Sequence, residues 1–274
     1  MRYIPTAVLV AAVLTNCASA TTSLATESVS SVSSVSSPPV ALTLAVVKQF
    51  PRDTTCFLEG FQWTPTVAGG GFYESCGQTG ASTMRITNLK GQVLKKVAVP
   101  DVFAEGTVRL GDRLYQLTWR ERVVFVRNPV TLAVLETRAL PKEIGEGWGM
   151  TTIGSELVVS DGTSRIYFVD PKGWKVTRTM SVSSAGLPID QLNELELING
   201  QLWANVWRTE AIVVINPANG QVSANVSLSG LRPRSTNADP EAVANGIAFD
   251  PKTKRIFITG KNWPVLYQVK TQAV

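Results

Sequence analysis

Glu59-Gly60-Phe61 is the first of five similar stretches that decide the fold of this chain. Each stretch joins an acidic or amide residue to a glycine or a carboxylate at the start of an apolar segment. Their first residues are separated by 46, 41, 47 and 52 residues. A repeat of roughly 40–50 residues is typical of β-sheets stacked around an axis, on which equivalent polar side chains converge. The five stretches are Glu59-Gly60-Phe61, Glu105-Gly106, Glu146-Gly147-Trp148, Asn193-Glu194-Leu195-Glu196 and Asn245-Gly246-Ile247.

Each repeat contains the pattern of short strands. Its third segment alternates β-branched and aromatic residues and ends in Asn-Pro or Asp-Pro, as in residues 124–129, 166–171 and 212–217. This pattern is typical of a strand followed by a turn. A fourth strand follows in each of the first four repeats, and beyond the N-terminal segment no long stretch has the apolar period of a helix. The sequence therefore predicts an all-β fold, a five-bladed β-propeller.

The two ends of the repeat region are predicted to complete one blade together. The last repeat stops after its third strand, residues 265–270, and an additional strand, residues 42–47, precedes the first repeat. If this strand supplies the missing fourth strand, the ring closes and no long sheet edge stays open. The alternative is that residues 42–47 are a linker. The propeller domain is assigned to residues 42–274.

The first 20 residues have the pattern of a signal peptide. A positive charge at Met1-Arg2 is followed by an apolar run, residues 4–14, and by the small-residue cleavage site Ala18-Ser19-Ala20. The run is too short to span a membrane, so we expect a secreted or periplasmic protein without a transmembrane segment. A lipoprotein that is cut before Cys17 is the alternative. Residues 21–41, rich in Ser, Val, Thr and Pro, are predicted to be a disordered tether.

Two cysteines remain for the folded domain if Cys17 leaves with the signal peptide. Cys56 and Cys76 are predicted on neighbouring inner strands of the first blade. In an oxidising compartment an even pair can form a disulfide. Two buried free thiols are the other possibility, and the sequence leaves both open.

The charged residues do not indicate a nucleic-acid-binding protein. The chain has 26 basic and 21 acidic residues, a net charge of +5, and its basic residues are scattered rather than gathered in a stripe. Residues 232–239, which are polar and contain Pro, Ser and Asn, are predicted to form a mobile, solvated loop before the fifth blade. We expect a monomer.

The chain contains no histidine, which restricts the chemistry of any site. Ser-His-Asp and Cys-His mechanisms are excluded, and a catalytic zinc is disfavoured, so we expect no metal and no cofactor. An aromatic wall raises the pKa of a carboxylate and lets it move a proton near neutral pH. Such a wall is expected at the channel mouth from Trp119, Trp148, Trp207 and Trp263. The polar residues expected near the inner strands are Glu59, Glu105, Glu146, Asp161, Asn193, Glu194 and Lys261.

Eight short blocks agree in order and spacing with one known family. They are residues 114–119 (LYQLTW), 145–149 (GEGWG), 160–164 (SDGTS), 192–196 (LNELE), 204–207 (ANVW), 228–231 (LSGL), 245–248 (NGIA) and 260–264 (GKNWP). Together they resemble the plant-and-bacterial type of glutaminyl-peptide cyclotransferase, over about residues 42–270. That resemblance implies a zinc-independent, five-bladed propeller. It also implies an enzyme that cyclises the N-terminal glutamine of peptides or proteins to pyroglutamate and releases ammonia.

The resemblance also implies roles for individual residues. Glu105 corresponds to the general acid/base of the family. Asn193 and Lys261 correspond to the residues that polarise the γ-carbonyl of the substrate and stabilise the tetrahedral oxyanion. The wall of the substrate pocket corresponds to Trp119, Trp148 and Trp207.

Residues 57–61 depart from the family pattern. The family usually has Phe-Thr-Gln-Gly-Leu, and this chain has Phe57-Leu58-Glu59-Gly60-Phe61. Glu59 is expected to contact the substrate, to change how its amino terminus is held, and to raise the apparent pKa of the pair that it forms with Glu105. The alternative to an enzyme is a non-catalytic secreted propeller that binds peptides or an envelope partner.

Overall fold

The structure is a computed structural model that describes residues 38–274. The predictions for the signal peptide, for lipidation at Cys17 and for residues 21–37 of the tether lie outside the described residues. No helix in the described part has the length and hydropathy needed to cross a membrane.

Strands make up nearly all of the regular structure in residues 38–274, which confirms the all-β prediction. One short 3-10 helix, Arg234–Thr236, is the exception in that range. Three sheets contain four antiparallel strands each, hydrogen-bonded in chain order. The first sheet consists of β2 (Leu58–Thr64), β3 (Gly71–Cys76), β4 (Thr83–Asn88) and β5 (Val93–Ala98). The second consists of β6 (Ala104–Leu110), β7 (Arg113–Thr118), β8 (Val123–Arg127) and β9 (Val134–Ala139). The third consists of β10 (Met150–Ile153), β11 (Glu156–Ser160), β12 (Arg165–Asp170) and β13 (Lys175–Ser181).

A fourth sheet has eight strands and joins the two ends of the described chain. The hairpin of β14 (Ser183–Ser184) and β15 (Leu187–Pro188) lies between β13 and the next strand of this sheet in sequence. The strand order of the large sheet is β16-β17-β18-β19-β1-β22-β21-β20. Its first half consists of β16 (Leu192–Ile198), β17 (Gln201–Val206), β18 (Ala211–Ile215) and β19 (Val222–Ser227). Its second half consists of β1 (Val40–Pro51), β22 (Val265–Ala273), β21 (Arg255–Gly260) and β20 (Ala244–Asp250).

The N-terminal strand pairs with the last strand, as the sequence indicated. β1 is antiparallel to β22 from Leu42 to Pro51, and it is parallel to β19 only from Val40 to Leu42. β1 is longer than the predicted segment 42–47, and it includes the last two residues that were assigned to the tether. The linker alternative is therefore wrong.

The repeated motif of the sequence coincides with β-bulges in first strands. The ladders of β2, β6, β16 and β20 are interrupted at Glu59, Glu105, Asn193 and Asn245. A bulge leaves a residue outside the regular pairing and changes the direction of its side chain. Each of these four polar residues therefore lies outside the regular strand pairing, at the equivalent position near the start of its strand.

The first strands contact one another in a closed cycle: β2 to β6, β6 to β10, β10 to β16, β16 to β20, and β20 back to β2. Glycine permits this close approach. A Cβ atom at Gly60 would clash with the backbone of Gly106, and a Cβ atom at Gly106 would clash with the backbone of Gly149. Gly149 in turn leaves room for the backbone of Asn193. The polar ends of these strands are therefore gathered around one axis.

The third stretch has a different register from the one suggested by its sequence. Trp148 and Gly149, rather than Glu146 and Gly147, continue the ring of close contacts. Trp148 donates its backbone N–H to the carbonyl of Ser160. The backbone N–H of Ser160 in turn donates to the carbonyl of Gly149. Glu146 precedes β10 and lies in a connecting segment. An indole therefore stands at the place in this sheet where a carboxylate was predicted.

Glu194 occupies the place that is glycine in the other first strands. Its fully buried carboxylate accepts hydrogen bonds from the backbone N–H of Ile247 (2.9 Å) and of Phe61 (3.3 Å). Because β2 and β20 are first strands, each has one side without a strand partner, and Glu194 satisfies N–H groups on those sides. Burial raises the pKa of Glu194 well above its usual value, and the charge of Glu196 raises it further. The equivalent glycines are Gly60, Gly106, Gly149 and Gly246.

We expect Glu194→Gln to flatten the pH dependence of stability. Because the pKa of Glu194 is raised on folding, the native state binds more protons than the unfolded state, and the free energy of unfolding falls as pH rises above the usual glutamate value. The carboxyl contributes up to about 1.4 kcal/mol per pH unit to that slope. The variant loses this contribution and leaves one backbone N–H facing an amide N–H, so it should be less stable at pH 5 and approach the wild type towards pH 8.

Urea unfolding between pH 5 and 8 measures this difference. The half-exposed Glu136→Gln variant is the control for loss of one carboxylate at the surface. Parallel profiles for Glu194→Gln and the wild type would mean that Glu194 does not titrate in this range.

Cys56 and Cys76 form a disulfide, which decides between the two possibilities that the sequence left open. Their Cα atoms lie 5.0 Å apart, and both residues are buried in the core of the first sheet. Cys56 immediately precedes the segment that leads into β2, and Cys76 ends β3. The bridge therefore fixes the start of the strand that carries Glu59.

Candidate active site

One cavity of about 310 Å³ lies at the ends of the first strands, and all seven residues predicted for the site line it. The bulged strands supply Glu59, Glu105 and Asn193, while the segments that follow second strands supply Trp119, Trp207 and Lys261. This arrangement brings into contact side chains that are up to 202 residues apart in the sequence. The seven predicted residues are Glu59, Glu105, Trp119, Trp148, Asn193, Trp207 and Lys261.

Glu59 and Lys261 form a buried ion pair in this cavity. The Nζ atom of Lys261 lies 2.7 Å from Oε1 of Glu59, and the side chains are 6% and 1% exposed. Asn245 donates its amide N–H to Oε2 of Glu59 at 3.1 Å. The ammonium also lies 4.6 Å above the ring of Phe57. The sequence predicted Glu59 and Lys261 in one pocket but did not predict this pairing.

Glu105 is a buried carboxyl group without a salt-bridge partner among the described residues. Burial raises its pKa well above the usual value, the charge of Glu59 raises it further, and Lys261 lowers it only in part. Burial also raises the pKa of Glu59, against the lowering effect of Lys261. Because Lys261 contacts Glu59 directly, we assign the charge to Glu59 and the proton to Glu105. Near neutral pH Glu105 is therefore a group that can donate a proton and take one back.

Asn193 presents an amide whose hydrogen bonds are incomplete. Its backbone is fixed because Ser160 donates its hydroxyl to the carbonyl of Asn193 at 2.8 Å. The Oδ1 atom of Asn193 is buried and has no donor among residues 38–274. An unsatisfied buried amide costs about 1–3 kcal/mol, so a ligand with a matching amide group would be stabilised here.

Two tryptophan side chains of the wall are held by one carboxylate. Trp119 and Trp148 both donate their indole N–H to Oε2 of Glu146, at 2.6 and 3.0 Å. Burial raises the pKa of Glu146, but the bonds from Trp148, Trp119 and Arg120 lower it more, so the net pKa is below the usual value. Trp207 meets Trp148 edge to face, with ring centroids 5.5 Å apart. The wall is therefore apolar towards the cavity and anchored by a charge behind it.

Four residues that the motifs placed near the site do not line the cavity. Trp263 was expected at the channel mouth, but it is fully buried and donates its indole N–H to the carbonyl of Ala242. Asp161 is buried and accepts the hydroxyl proton of Tyr167 at 2.9 Å. Glu146 lies behind the indoles and Glu194 between first strands, so both support the cavity without facing it. A repeated sequence position fixes the level in the sheet but not the direction of the side chain.

Four lining residues were missed, two of which had a signal in the sequence. Phe57 and Phe103 stand at equivalent positions directly before two bulged strands. Arg208 and Glu241 join across the mouth, with Nη2 of Arg208 2.7 Å from Oε1 of Glu241. Glu241 lies at the end of a segment without counterpart in the other repeats, so no comparison between repeats could reveal it.

The segment before β20 is tied to the fold by hydrogen bonds. Arg232 donates to the carbonyl oxygens of Thr236 and Asp239. Thr236 itself is buried. The prediction of a solvated loop over residues 232–239 therefore does not describe the whole segment. The hydrogen bonds of Arg232 hold the turn that leads to Glu241.

Metal-ligand side chains cluster only once within the described residues. The group consists of Cys56, Glu74 and Cys76. Its two sulfur atoms are joined in the disulfide, and its carboxylate lies 3.4 Å from the guanidinium of Arg52. The two sulfur atoms are therefore bonded to each other, and the carboxylate is paired with Arg52.

Comparisons with known proteins identify the family of this chain. Residues 9–271 match the family described as glutamine cyclotransferase. A glutaminyl-peptide cyclotransferase of Arabidopsis thaliana is 36% identical over 232 residues, which cover 83% of this chain and 71% of that protein. The crystal structure of a glutaminyl cyclase of Myxococcus xanthus is 34% identical, with a TM-score of 0.78, and the match covers 86% of this chain and 99% of that one. With most of its length matched and its polar residues gathered in one cavity, this chain belongs to the glutamine cyclotransferase family.

Proposed function

We propose that this protein is a glutaminyl-peptide cyclotransferase, which converts the N-terminal glutamine of peptides or proteins to pyroglutamate and ammonia. The observation that carries the proposal is the convergence of Glu105, Asn193 and Lys261 in one tryptophan-walled cavity of a chain that belongs to this family. A buried carboxyl group, an amide with an open hydrogen-bonding position and a buried ammonium are the groups that this reaction needs.

The reaction requires one proton to move between two nitrogen atoms. The neutral α-amine attacks the γ-carbonyl carbon, a C–N bond forms, and the carbonyl oxygen becomes an oxyanion. The bond to the amide nitrogen then breaks, and this nitrogen leaves as ammonia after it gains the proton that the α-amine loses. Because the nucleophile belongs to the substrate, no activated side chain is needed, and holding the five-membered-ring geometry supplies much of the acceleration.

Glu105 is proposed to carry that proton. Its burial and the neighbouring Glu59 raise its pKa, which suits exchange of a proton near neutral pH. A carboxyl group that accepts the α-amine proton on one oxygen can deliver a proton from the other to the leaving nitrogen. No histidine exists in the chain to take this role.

Lys261 and Asn193 are proposed to stabilise the oxyanion. The ammonium of Lys261 is held in place by Glu59 at 2.7 Å, and its remaining N–H groups can donate to the substrate oxygen. Asn193 is proposed to donate its side-chain amide N–H to the same oxygen from the neighbouring part of the wall. Donors fixed in advance in an apolar site act on the charge as it develops.

The wall is proposed to bind the substrate by excluding water. Trp119, Trp148 and Trp207 line the cavity, and the first two are fixed by Glu146 before a substrate enters. A rigid aromatic wall keeps the flexible glutamine side chain folded towards its own amine.

We also propose that the domain is a five-bladed β-propeller. The closed cycle of five first strands supports this count, and so do the four-stranded sheets that begin with β2, β6 and β10. The eight-stranded sheet divides naturally at β19 and β1, where parallel pairing covers only three residue pairs. The fourth blade then ends with β19, and β1 completes the fifth.

Secretion or export to the periplasm is proposed from the N-terminal pattern and the disulfide. Disulfides persist mainly in oxidising compartments, and Cys56–Cys76 is consistent with such a location. A soluble form cut after Ala20 is proposed, with lipid attachment at Cys17 as the alternative. Mass spectrometry of the mature N-terminus separates the two.

The direct test of the function is release of ammonia from a glutaminyl dipeptide. Purified protein is incubated with Gln-Ala amide, with Asn-Ala amide as a matched substrate whose side chain is one methylene shorter. We expect stoichiometric ammonia and pyroglutamyl product from the first peptide only. Binding of Gln-Ala amide without ammonia release would favour the non-catalytic propeller.

We expect Glu59→Gln to shift the acidic limb of the pH profile of kcat/KM to lower pH. Burial raises the pKa of Glu105, and Glu59, which contacts Lys261 directly and carries the negative charge of the two carboxyl groups, raises it further. Removing that charge lowers the pKa of Glu105, so its ionised form persists in more acidic solution. The α-amine of the free substrate has the same pKa in both experiments. Its contribution to the pH profile is therefore the same for the wild type and the variant, and any difference between the profiles comes from the enzyme. An acidic limb that does not move would show that the two carboxyl groups are not coupled during the reaction.

A further inference from the structure

We propose that the mouth of the cavity carries a second subsite, formed by Arg120 and Arg208, which binds an acidic side chain in the residue that follows the N-terminal glutamine. This inference rests on the proposed function and names a preferred substrate class for it. The first observation is a repeated dipeptide. Trp119-Arg120 and Trp207-Arg208 both follow the second strand of their sheets, so the chain presents an arginine beside a cavity-wall tryptophan twice.

Both arginine side chains are stacked on the adjacent indole. The guanidinium carbon of Arg120 lies 3.8 Å from the ring centroid of Trp119, and that of Arg208 lies 4.2 Å from the ring centroid of Trp207. Stacking against a wall residue fixes the plane of the guanidinium and reduces the entropy that it loses when a ligand binds. The two cations are therefore organised in advance around the same cavity.

Each guanidinium also has one carboxylate partner, which leaves donors available. Nε of Arg120 lies 3.3 Å from Glu146, and Nη2 of Arg208 lies 2.7 Å from Glu241. Arginine has five N–H donors, so a single contact leaves most of them free. The side chains are 69% and 60% exposed, and the free donors can therefore reach a ligand from solution.

The path of a bound peptide leads past these groups. The proposed reaction places the α-amine and the side chain of glutamine inside the cavity, so the chain can leave only through the mouth. The next residue then passes the outer edges of Trp119 and Trp207. A carboxylate in that residue can accept two parallel N–H bonds from a guanidinium, a geometry that lysine does not offer. Glu146 and Glu241 offset part of the positive charge, so the expected preference has the size of exposed, partly neutralised ion pairs.

The chain contains a matched control for this arrangement outside the cavity. Arg138 stacks on Trp174 at 4.8 Å and pairs with Glu136. None of the three lines the cavity. Arg138→Gln therefore removes the same kind of interaction without altering the proposed subsite.

The test compares kcat/KM for the amidated peptides Gln-Glu-Ala, Gln-Ala-Ala and Gln-Lys-Ala. Amidation removes the terminal carboxylate, which would otherwise compete for the same donors. We expect the wild type to prefer Glu over Ala by about fivefold to tenfold, because each exposed ion pair contributes up to about fivefold. The preference should shrink at high ionic strength. It should fall close to one in the Arg120→Gln/Arg208→Gln double variant and stay unchanged in Arg138→Gln.

The outcomes separate the subsite from the function. No ammonia from any of the three peptides would refute the proposed function and the subsite with it. Turnover of the Ala peptide with no advantage for Glu would overturn the subsite alone. An advantage for Glu that survives in the double variant, or that Arg138→Gln abolishes equally, would also overturn it.

Discussion

Glu105→Gln is expected to remove nearly all ammonia release while the protein stays folded. The substitution keeps the shape of the buried side chain, but it removes the group that exchanges the proton. Loss of a general acid/base typically lowers turnover by about 10²–10⁴-fold. The melting temperature should stay within a few degrees of the wild type, since no salt bridge of Glu105 is lost among the described contacts.

Turnover of Gln-Ala amide and thermal unfolding, measured on the same preparations, check this expectation. Glu136→Gln is the control, because Glu136 lies on β9 away from the cavity. If Glu105→Gln retains both turnover and melting temperature, Glu105 does not carry the proton. If both are lost together, a second variant, Glu105→Asp, tests whether a displaced carboxylate recovers part of the activity.

Lys261→Met is expected to lower turnover by about 10²–10³-fold, the usual effect of removing one oxyanion donor. Methionine fills a similar volume without the charge. Because the proposed interaction strengthens only in the transition state, kcat should fall more than KM rises. An effect confined to KM would make Lys261 a residue that binds the ground state.

The ion pair with Glu59 allows a sharper version of this experiment. Lys261→Met also leaves Glu59 buried without its cation, which by itself could disturb the cavity. The double variant Glu59→Gln/Lys261→Met removes both charges and closes a double-mutant cycle. If Lys261 acts on the substrate, the double variant stays as slow as Lys261→Met. Recovery to the level of Glu59→Gln would show that Lys261 only neutralises Glu59.

The part of the fold that repeats could be predicted from the sequence, because repetition makes each position visible several times. Glu59, Glu105 and Asn193 were found in this way, and each lies at a bulge in a first strand. In the third repeat, residues 145–149 (GEGWG) offer two candidate positions for the motif, Glu146-Gly147 and Trp148-Gly149. The sequence alone therefore could not fix the register of this strand. The backbone contacts of Gly149 decide it.

Features that occur once were not predictable. The pairing of Lys261 with Glu59 joins residues from opposite ends of the domain and depends on side-chain directions that only the closed ring defines. Trp263 shares its motif position with wall residues, yet its indole turns into the core. Glu241 belongs to a segment that only one repeat has. In each case the physical cause is packing between sheets, which spacing along the chain does not encode.

The pairing of β1 with β22 has a consequence for the order in which the protein folds. Val46 pairs with Val269, so the first described strand finds its antiparallel partner only after nearly all of the domain has been made. Contacts so distant in sequence form slowly, since a long loop must be closed before they contribute. A nascent chain therefore carries β1 without this partner until residues 265–273 have been made, and the sheet that contains β1 can be completed only then. Lys261 lies between β21 and β22 and is therefore also made late. The partly synthesised domain can complete its active site only when it can also pair β1 with β22.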